Sequence, residues 1–385
     1  MLGPPTVVLV TDATDPAAEP TAADPTAAGP TAADPTAAGP SRIRVRDLSE
    51  TELLDRIFPL LPPGRATLLG PGDDAAVVAA PDGRFVVTTD VLVEDRHFRR
   101  RWSSGYDVGV RAAVQNLADV AAMGAVPTAL VVSLVVPGAA EVAWVTGLAR
   151  GLAEACAPVG ATVVGGDLSG GDSLVVAVTA HGDLEGRDPV TRSGARAGDV
   201  VAHAGVLGVS AAGLALLDAG AAAPGAGAPG ADGPTASFVA GYLRPGSPLA
   251  AGPAAASAGA TAMLDVSDGL LRDAGRLARA SGVVLDLRAA ALGPDLAALA
   301  PAARALGAGA DGGGDAWTGM ERAWVLSGGE DHGLLATFPP DAPLPAGFRP
   351  IGTVRAPDGS PHDDVRVTVD GAAPSTGPGW DHFGG

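Results

Sequence analysis

Strand-length runs of β-branched residues alternate along this chain with segments of helical spacing. RFVVTTDVLV (84–93) and TALVVSLVV (128–136) predict strands, whereas YDVGVRAAVQNLADVAAMG (106–124) and AEVAWVTGLARGLAEAC (140–156) predict helices. A chain that mixes the two periods must bury helices against sheets, which indicates an α/β fold of the α+β type.

The pattern runs through the chain in two series. The first series adds strand candidates at 162–167 and 173–184. The second series starts at GDVVAHAG, with strand candidates near 199–205, 261–266, 283–288, 324–338, 350–355 and 365–369. Two successive series predict two mixed α/β domains, an N-terminal domain over 43–190 and a C-terminal domain over 191–385.

Three stretches fall outside this pattern. PTAADPTAAGPTAADPTAAGP (20–40) has proline at every fifth place, which blocks helix and sheet, and its small residues bury too little apolar surface to offset the ordering entropy. We therefore expect residues 1–42 to be a disordered tail. The Gly- and Ala-rich stretches 219–236 and 307–319 predict mobile loops.

Composition narrows the class of protein. The formal net charge of −18 argues against nucleic-acid binding, which needs clustered Lys and Arg. The single cysteine, Cys156, excludes an intrachain disulfide, and its helical setting predicts a small buried side chain. No apolar segment reaches spanning length and no signal peptide is recognisable, so we expect a cytoplasmic protein with no membrane partner.

Two carboxylates, Asp265 and Asp268, stand where an apolar run meets a helical pattern in MLDVSDGLLRDAGRLARASG (263–282). Carboxylates near a buried strand end are costly to desolvate unless a cation or several donors meet them. Ser267 or Asp268 acting as the helix N-cap is the commoner explanation for one of them. That explanation leaves Asp265 without a role, so a metal site is the alternative.

Similar oxygen ligands recur at other strand ends and loops. They are Asp74 in GPGDDAAVV, Thr88, Thr89 and Asp90 in TTDVLVEDRHF, Asp119 in NLADVAAMGA, and Asp167 in VVGGDLSGGD. Carboxylates and hydroxyls are hard ligands suited to magnesium, although a turn or a cap explains each position taken singly.

Gly166 beside Asp167 permits close approach of a phosphate, and Arg192 in DPVTRSGARAGD lies among donors able to hold one. No Walker loop or dinucleotide fingerprint is present, so the residues by themselves indicate a metal-assisted site for a phosphorylated ligand.

Taken in order, GPGDDAAVV, TTDVLVEDRHF, NLADVAAMGA, GGDLSGGD, TRSGARAGD, DVSDGL, LSGGED and GWDHF resemble the motifs of the thiamine-monophosphate kinase family over residues 47–385. The resemblance implies ATP-dependent phosphorylation of thiamine monophosphate to thiamine diphosphate, with several magnesium ions and no catalytic base. It also implies a homodimer in which N-terminal domains share a β-barrel, and a C-terminal α/β sandwich. Two positions depart from the family pattern: His332 replaces the usual aromatic residue, and Gly333 stands where an acidic residue is common.

The resemblance also implies roles for individual residues. The implied magnesium ligands are Asp74, Thr88, Thr89, Asp90, Asp119, Asp167, Asp265 and Asp268. The implied ATP contacts are Gly166, Asp167, Arg192 and Ser267, and the implied contacts to thiamine monophosphate are His97, Glu330 and Trp380. The alternatives are another ATP-dependent enzyme of the same superfamily, and a nucleotide or metal sensor that is not catalytic.

Overall fold

The computed structural model describes residues 43–71, 75–223, 232–307, 319–357, 359, 366–377 and 379. Its strands are β1 (Thr67–Leu69), β2 (Val77–Val78), β3 (Val86–Val93), β4 (Val126–Val136), β5 (Thr162–Gly170), β6 (Val175–Asp183), β7 (Val200–Ala204), β8 (Ala262–Val266), β9 (Val284–Leu287), β10 (Gly333–Phe338), β11 (Phe348–Arg355) and β12 (Val367–Val369). Its α-helices are α1 (Glu50–Ile57), α2 (Gly105–Ala122), α3 (Val142–Cys156), α4 (Val209–Asp218), α5 (Ala236–Leu243), α6 (Ala251–Ser257), α7 (Leu270–Ser281), α8 (Ala289–Ala305) and α9 (Met320–Ser327).

The first sheet has four strands in the order β3-β6-β4-β5, with β4 and β5 parallel and the other neighbours antiparallel. One face packs against α2 and α3 around a core that includes Leu130 and Val178. Because side chains alternate along a strand, Leu92 on β3 enters this core while Val87 and Val91 face the other way and are 55% and 47% exposed. The sheet is thus covered on one face and open over β3 on the other.

The second sheet has six strands in the order β12-β9-β11-β7-β10-β8, in which only the β12–β9 pair is parallel. Residues of α7, α8 and α9 pack on one face in a large apolar core with the sheet residues Leu264 and Leu335. Ala251 and Ala255 of α6 pack on the other face with Met263. This sheet is therefore buried on both sides, which explains why β8 and β10 are continuous buried runs without alternation.

Helix α2 lies between the two sheets, with contacts to β3 and β6 of the first and to β8 and β10 of the second. It begins with a capping box in which the Ser104 side chain accepts from the Asp107 amide and the Asp107 carboxylate accepts from the Ser104 amide. Gly109 lets α2 approach α3 closely, because a Cβ there would lie 2.1 Å from the Leu148 carbonyl oxygen. Any functional residue on α2 is consequently held between the two sheets.

The mixed α/β architecture predicted from the sequence is confirmed. Cys156 is a free and buried thiol at the end of α3, as expected. Contacts among the residues from Arg42 onward do not separate the two sheets into independent units, and the domain boundary between 190 and 191 stays a prediction. The predicted tail, 1–42, and most of the two predicted loops lie outside the described residues.

Two local expectations were wrong. The first part of the strand expected at 324–338 is helical, and β10 begins only at Gly333. The reason is that α9 buries the consecutive residues Trp324, Val325 and Leu326 against α7 and α8. Neither Ser267 nor Asp268 caps α7, since the N-cap position is Gly269, which has a positive φ of 113°. Tertiary packing decides the first case, and the turn that leads into α7 decides the second.

Within the described ranges, no helix is both long enough and apolar enough to cross a bilayer.

The α2–α3 contact yields a test of this packing. Gly109→Ala would bring a Cβ to 2.1 Å from the Leu148 carbonyl oxygen, and we expect it to lower the free energy of unfolding by about 1–3 kcal/mol. Gly275→Ala is the matched control, since Gly275 lies within α7 and a Cβ there would meet only the end of the flexible Arg279 side chain, at 3.3 Å. The control should raise stability by about 0.5–1 kcal/mol, because alanine has the higher helix propensity. Equal denaturant midpoints for the two variants would contradict the close packing of α2 on α3.

Candidate functional site

Three carboxylates from different elements converge beside α2. Asp90 comes from β3, Asp119 from α2 and Asp265 from β8. Burial raises the pKa of Asp119 to about 7, and the negative charges of Asp265 and Asp90 add to the effect. Burial also raises the pKa of Asp90, with a further contribution from the charge of Asp265. The three groups thus form an acidic cluster, Asp90–Asp119–Asp265, whose members repel one another.

Polar residues of α2 hold the members of this cluster and the loop beside it. The Asp119 carboxylate accepts from Thr88 Oγ1 at 2.9 Å, and the Gln115 side chain donates to Asp90. One turn earlier, Arg111 Nη1 donates to Glu330 Oε2 at 2.8 Å. Positions 111, 115 and 119 are spaced by four, so these side chains share one face of the helix.

The loop 328–332 carries Glu330 next to the acidic cluster. Glu330 and His332 both have positive φ, 69° and 52°, which is uncommon for residues with side chains and is found at functional sites. His332 Nδ1 lies 3.5 Å from Asp265 Oδ2, and its Nε2 lies 3.9 Å from Glu330 Oε2. Burial opposes protonation of His332, but the two carboxylates outweigh it, and the pKa of the imidazole is raised.

The same loop is anchored at both of its neighbouring elements. The amide of Glu330 donates to the Ser267 carbonyl at 2.7 Å, which joins it to the DVSD turn. The Asp331 carboxylate accepts from the amides of Gly208 and Ser210 at the start of α4. These hydrogen bonds fix the loop so that Glu330 and His332 have few alternatives to the strained backbone.

The two carboxylates of the DVSD turn have different surroundings. Asp265 belongs to the acidic cluster with Asp90 and Asp119, whereas Asp268 Oδ2 lies 2.6 Å from Arg276 Nη2. The buried Asp273 carboxylate accepts from the amides of Ser267 and Asp268 at 3.1 Å and 2.9 Å. Asp273 therefore shapes the turn, and Asp268 is already paired with a cation.

Two other predicted ligands lie on the open face of the first sheet. Thr89 follows Thr88 on β3 and so points to the opposite side, where its Oγ1 donates to the Val178 carbonyl at 2.9 Å. Asp167 is exposed on β5, in register with Ser133, and its carboxylate accepts from Ser169 Oγ at 2.9 Å. Thr89 and Asp167 are thus separate from the Asp90–Asp119–Asp265 cluster.

A cavity of about 910 Å³ lies along β5 and is closed by α1 and the β1–β2 pair. Its lining includes Gly166 and Asp167, two of the predicted ATP contacts, together with the mostly apolar side chains Ile57, Phe58 and Leu61. Only glycine fits at position 166, because a Cβ there would lie 1.9 Å from the Val132 carbonyl oxygen. A volume of this size suits a nucleotide-sized ligand.

The remaining predicted site residues lie elsewhere or outside the described residues. Arg192 and Ser267 do not line the cavity; the Arg192 carbonyl accepts from Ser281 Oγ at 2.9 Å. His97 lies at the end of β3, where its Nδ1 accepts from the Val93 amide at 3.0 Å. Asp74 and Trp380 are outside the described residues. Within those residues, no three His, Cys, Asp or Glu side chains stand close enough to form a ready metal-coordination sphere.

Sequence reasoning missed the residues that hold this site, namely Arg111, Gln115, Asp273 and Asp331. A signal for the first two was present, because Arg111, Gln115 and Asp119 recur at intervals of four within a largely apolar helix. Asp331 and Asp273 had no comparable signal, since their partners are backbone amides on other segments.

The sequence was compared with family models and with known proteins. Residues 72–184 match the family model described as AIR synthase related protein, N-terminal domain. A thiamine-monophosphate kinase of Mycobacterium tuberculosis is 47% identical over 340 residues, which cover 88% of this chain and 93% of the relative.

Solved structures agree with that relationship. The crystal structure of thiamine-monophosphate kinase from Stenotrophomonas maltophilia K279a superposes with a TM-score of 0.67 at 30% identity, covering 85% of this chain and 98% of that one. A structure described as AaThiL complexed with AMPPCP and TMP gives a TM-score of 0.65 at 30% identity, covering 89% and 100% of the two chains.

His203 is a buried residue behind the loop 328–332 and gives a test of the site's surroundings. A Cβ on Gly333 would lie 2.5 Å from His203 Nε2, and neither ring nitrogen of His203 has a hydrogen-bond partner among the described residues. Burial lowers the pKa of His203 to about 3, and the charge of Arg349 adds to the effect.

We predict that His203 makes the protein acid-sensitive. Below the unfolded-state pKa of about 6.5, the unfolded chain binds a proton that the folded protein does not bind until about pH 3, so stability falls as the pH falls through this window. Between pH 7 and pH 5 the loss due to His203 is about 2 kcal/mol. His203→Leu should lose that much less than wild type in denaturant titrations at the two pH values. An identical pH dependence in both proteins would show that His203 is solvated or paired.

Proposed function

The chain belongs to the thiamine-monophosphate kinase family, and from that premise we propose that it transfers the γ-phosphoryl group of ATP to thiamine monophosphate, giving thiamine diphosphate and ADP. The observation that supports this most directly is the buried acidic cluster between the two sheets, with Glu330 beside it. The accepting oxygen belongs to a phosphate, which is already anionic at neutral pH, so the transfer needs no general base from the protein. The work of the site is to position two anions and to reduce their repulsion.

Magnesium fits the ligands that this chain supplies. Asp90, Asp119 and Asp265 are hard oxygen donors whose mutual repulsion a cation would relieve, and the Thr88 hydroxyl lies within reach of Asp119. When bound, magnesium would neutralise the charge between the two phosphates and align them for in-line transfer. Asp268 would join these ligands only by giving up Arg276. Thr89, Asp167 and Asp74 form the second part of the proposed ligand set, which is consistent with more than one ion.

The cavity along β5 supports the assignment of the nucleotide contacts. Gly166 and Asp167 line it, and the apolar side chains opposite suit an adenine ring. Arg192 and Ser267 remain proposed ATP contacts, for which the γ-phosphate end of the nucleotide would have to extend away from this cavity.

The thiamine monophosphate end is proposed to be formed by His97, Glu330 and Trp380. Glu330 is a carboxylate with a 41% exposed side chain and so can meet the cationic thiazolium ring. Gly379, the residue before Trp380, lies against the DVSD turn, because a Cβ there would come within 2.3 Å of the Asp268 carbonyl oxygen. The role proposed for Trp380 is stacking of its indole on the thiazolium ring, an attraction of about 1–2 kcal/mol when desolvated.

The experiment that tests the function is a coupled assay of ADP release with and without thiamine monophosphate. A kinase releases ADP in proportion to the thiamine diphosphate formed and only when thiamine monophosphate is present. Binding of ATP without turnover in either condition would favour the sensor, and ADP release that ignores thiamine monophosphate would favour another enzyme of the superfamily.

Metal dependence yields a sharper prediction. Asp90→Asn and Asp119→Asn should each remove most of the activity, because each deletes a charged ligand. In chelator the same variants should melt at a higher temperature than wild type, since one of three repelling buried charges is gone. Magnesium should raise the melting temperature of wild type more than that of either variant.

Asp295→Asn is the control for these melting curves, because Asp295 is a half-buried carboxylate paired with Arg349 at 2.6 Å, and no predicted magnesium ligand is among its partners. It should lower the melting temperature and leave the response to magnesium unchanged. If Asp90→Asn and Asp119→Asn respond to magnesium as wild type does, the cluster is not a metal site.

We further propose that the protein is a homodimer in which the open faces of two four-stranded sheets close into a barrel, and we keep the cytoplasmic location as a prediction. The open face carries Val87 and Val91, which are 55% and 47% exposed, and the ring of Phe85 beside them is 59% exposed. Exposed apolar side chains grouped on one sheet face in this way are costly in water unless a partner covers them.

Val87→Glu should therefore weaken the dimer by about tenfold or more, measured by sedimentation equilibrium, because it places a charge in a buried interface. Val206→Glu is the matched control, since Val206 is 46% exposed in the turn after β7 and is not on this sheet. A wild-type chain that sediments as a monomer, or a Val87→Glu variant as tightly dimeric as the control, would rule out this interface.

A further inference from the structure

Arg111 is a buried cation on α2 that no predicted role has yet absorbed. Its side chain is only 3% exposed. Its guanidinium donates to Glu330 Oε2 at 2.8 Å, to the Tyr242 carbonyl, and to the His97 carbonyl at 3.4 Å. The guanidinium carbon also lies 4.6 Å from the centre of the Tyr242 ring. One side chain thus joins α2, α5, the end of β3 and the loop 328–332.

The contacts of Arg111 distinguish positioning from direct binding. A guanidinium this deeply buried cannot reach a ligand in solvent, whereas its partner Glu330 has a 41% exposed side chain. Arg111 contacts Oε2 of Glu330, and the other carboxylate oxygen, Oε1, remains for a ligand. The planar fork of arginine serves this purpose better than lysine, because it donates to several acceptors in fixed directions.

Glu330 needs such a restraint. Its positive φ of 69° is disfavoured for glutamate, and its side chain would otherwise sample several rotamers at the loop surface. The carbonyl of His97 is held by the same guanidinium. Both residues are proposed contacts of thiamine monophosphate, so one buried cation fixes the distance between two parts of the same subsite.

We propose that Arg111 is a positioning residue that holds Glu330 and the His97 backbone in the geometry that recognises thiamine monophosphate. This inference rests on the proposed function and deepens it. It assigns two roles to α2: Asp119 is a proposed magnesium ligand, and Arg111 positions the residues that contact thiamine monophosphate.

Two variants test the proposal kinetically. Arg111→Lys keeps the buried positive charge but loses the fork, and Arg111→Met loses both. We expect the KM for thiamine monophosphate to rise roughly tenfold in Arg111→Lys, with the KM for ATP and kcat each within about twofold of wild type. Calorimetric titration with thiamine monophosphate alone should show the same loss of affinity without turnover.

A double-mutant cycle with Glu330→Gln asks whether Arg111 acts through Glu330. If it does, adding Arg111→Lys to Glu330→Gln should raise the KM for thiamine monophosphate by clearly less than the roughly tenfold expected in the wild-type background, because the Glu330 contact is already lost and only the His97 contact remains to be disturbed. Arg111→Met combined with Glu330→Gln should melt at a higher temperature than Arg111→Met alone, since the carboxylate left unpaired is neutralised.

Arg349→Lys is the matched control. Arg349 makes a similar pair of contacts away from the site, to Asp295 at 2.6 Å and to the Ala291 carbonyl at 2.8 Å, both on α8. It should lower the melting temperature and leave both KM values unchanged. Independent, multiplicative effects of Arg111→Lys and Glu330→Gln would overturn the inference, as would an unchanged KM for thiamine monophosphate in Arg111→Lys. If the wild-type protein shows no ADP release that is dependent on thiamine monophosphate, the proposed function itself is overturned.

Discussion

The repulsion among buried carboxylates is the constraint on which the site depends. Asp90, Asp119 and Asp265 come from three elements that are far apart in the sequence, and burial together with the neighbouring negative charges raises the pKa of Asp90 and of Asp119. Such an arrangement persists only where packing enforces it. Here α2 enforces it, because it packs closely on α3 and contacts strands of both sheets. A bound cation would relieve this repulsion, and the relief would favour its binding.

Strand alternation decides how the predicted ligands are divided. Thr88 and Asp90 share the α2 side of β3, and Thr89 between them points to the open face. Asp167 lies on that open face as well, next to the cavity that suits a nucleotide. A ligand that used all four residues would have to reach both sides of β3. Two groups of oxygen ligands, one on each side of the sheet, are the arrangement that this geometry favours.

Much of the fold followed from periodicity, because the long strands β3 to β6 and the long helices α2 and α3 have clear strand or helix patterns. α9 was missed since Trp324, Val325 and Leu326 are consecutive apolar residues, and such a run has the same appearance in a buried strand as in a buried helix. The convergence of Asp90, Asp119 and Asp265 follows from carboxylates noted in the sequence at strand ends and on α2, and their role as metal ligands stays a prediction. Most of the residues that hold the site could not be predicted, since Arg111 acts on Glu330 across 219 residues of sequence and Asp331 acts on the Gly208 amide across 123, although Asp273 acts on the Asp268 amide across only 5. Only the shortest of these separations lies within a local motif.

The DVSD turn shows why spacing alone does not assign ligands. Asp265 and Asp268 are equivalent in the sequence pattern, yet Asp268 has a guanidinium 2.6 Å away, and the nearest basic group to Asp265 is the imidazole of His332 at 3.5 Å. A cation that binds Asp265 has only the imidazole of His332 to displace, whereas one that binds Asp268 must compete with the guanidinium of Arg276, which is itself also paired to Asp273 at 2.6 Å. Because Asp273 keeps Arg276 close after any such exchange, the freed guanidinium would remain beside the incoming ligand. In the proposed site, a cation that bound Asp268 would therefore leave the Arg276 guanidinium beside the phosphate that it brought in.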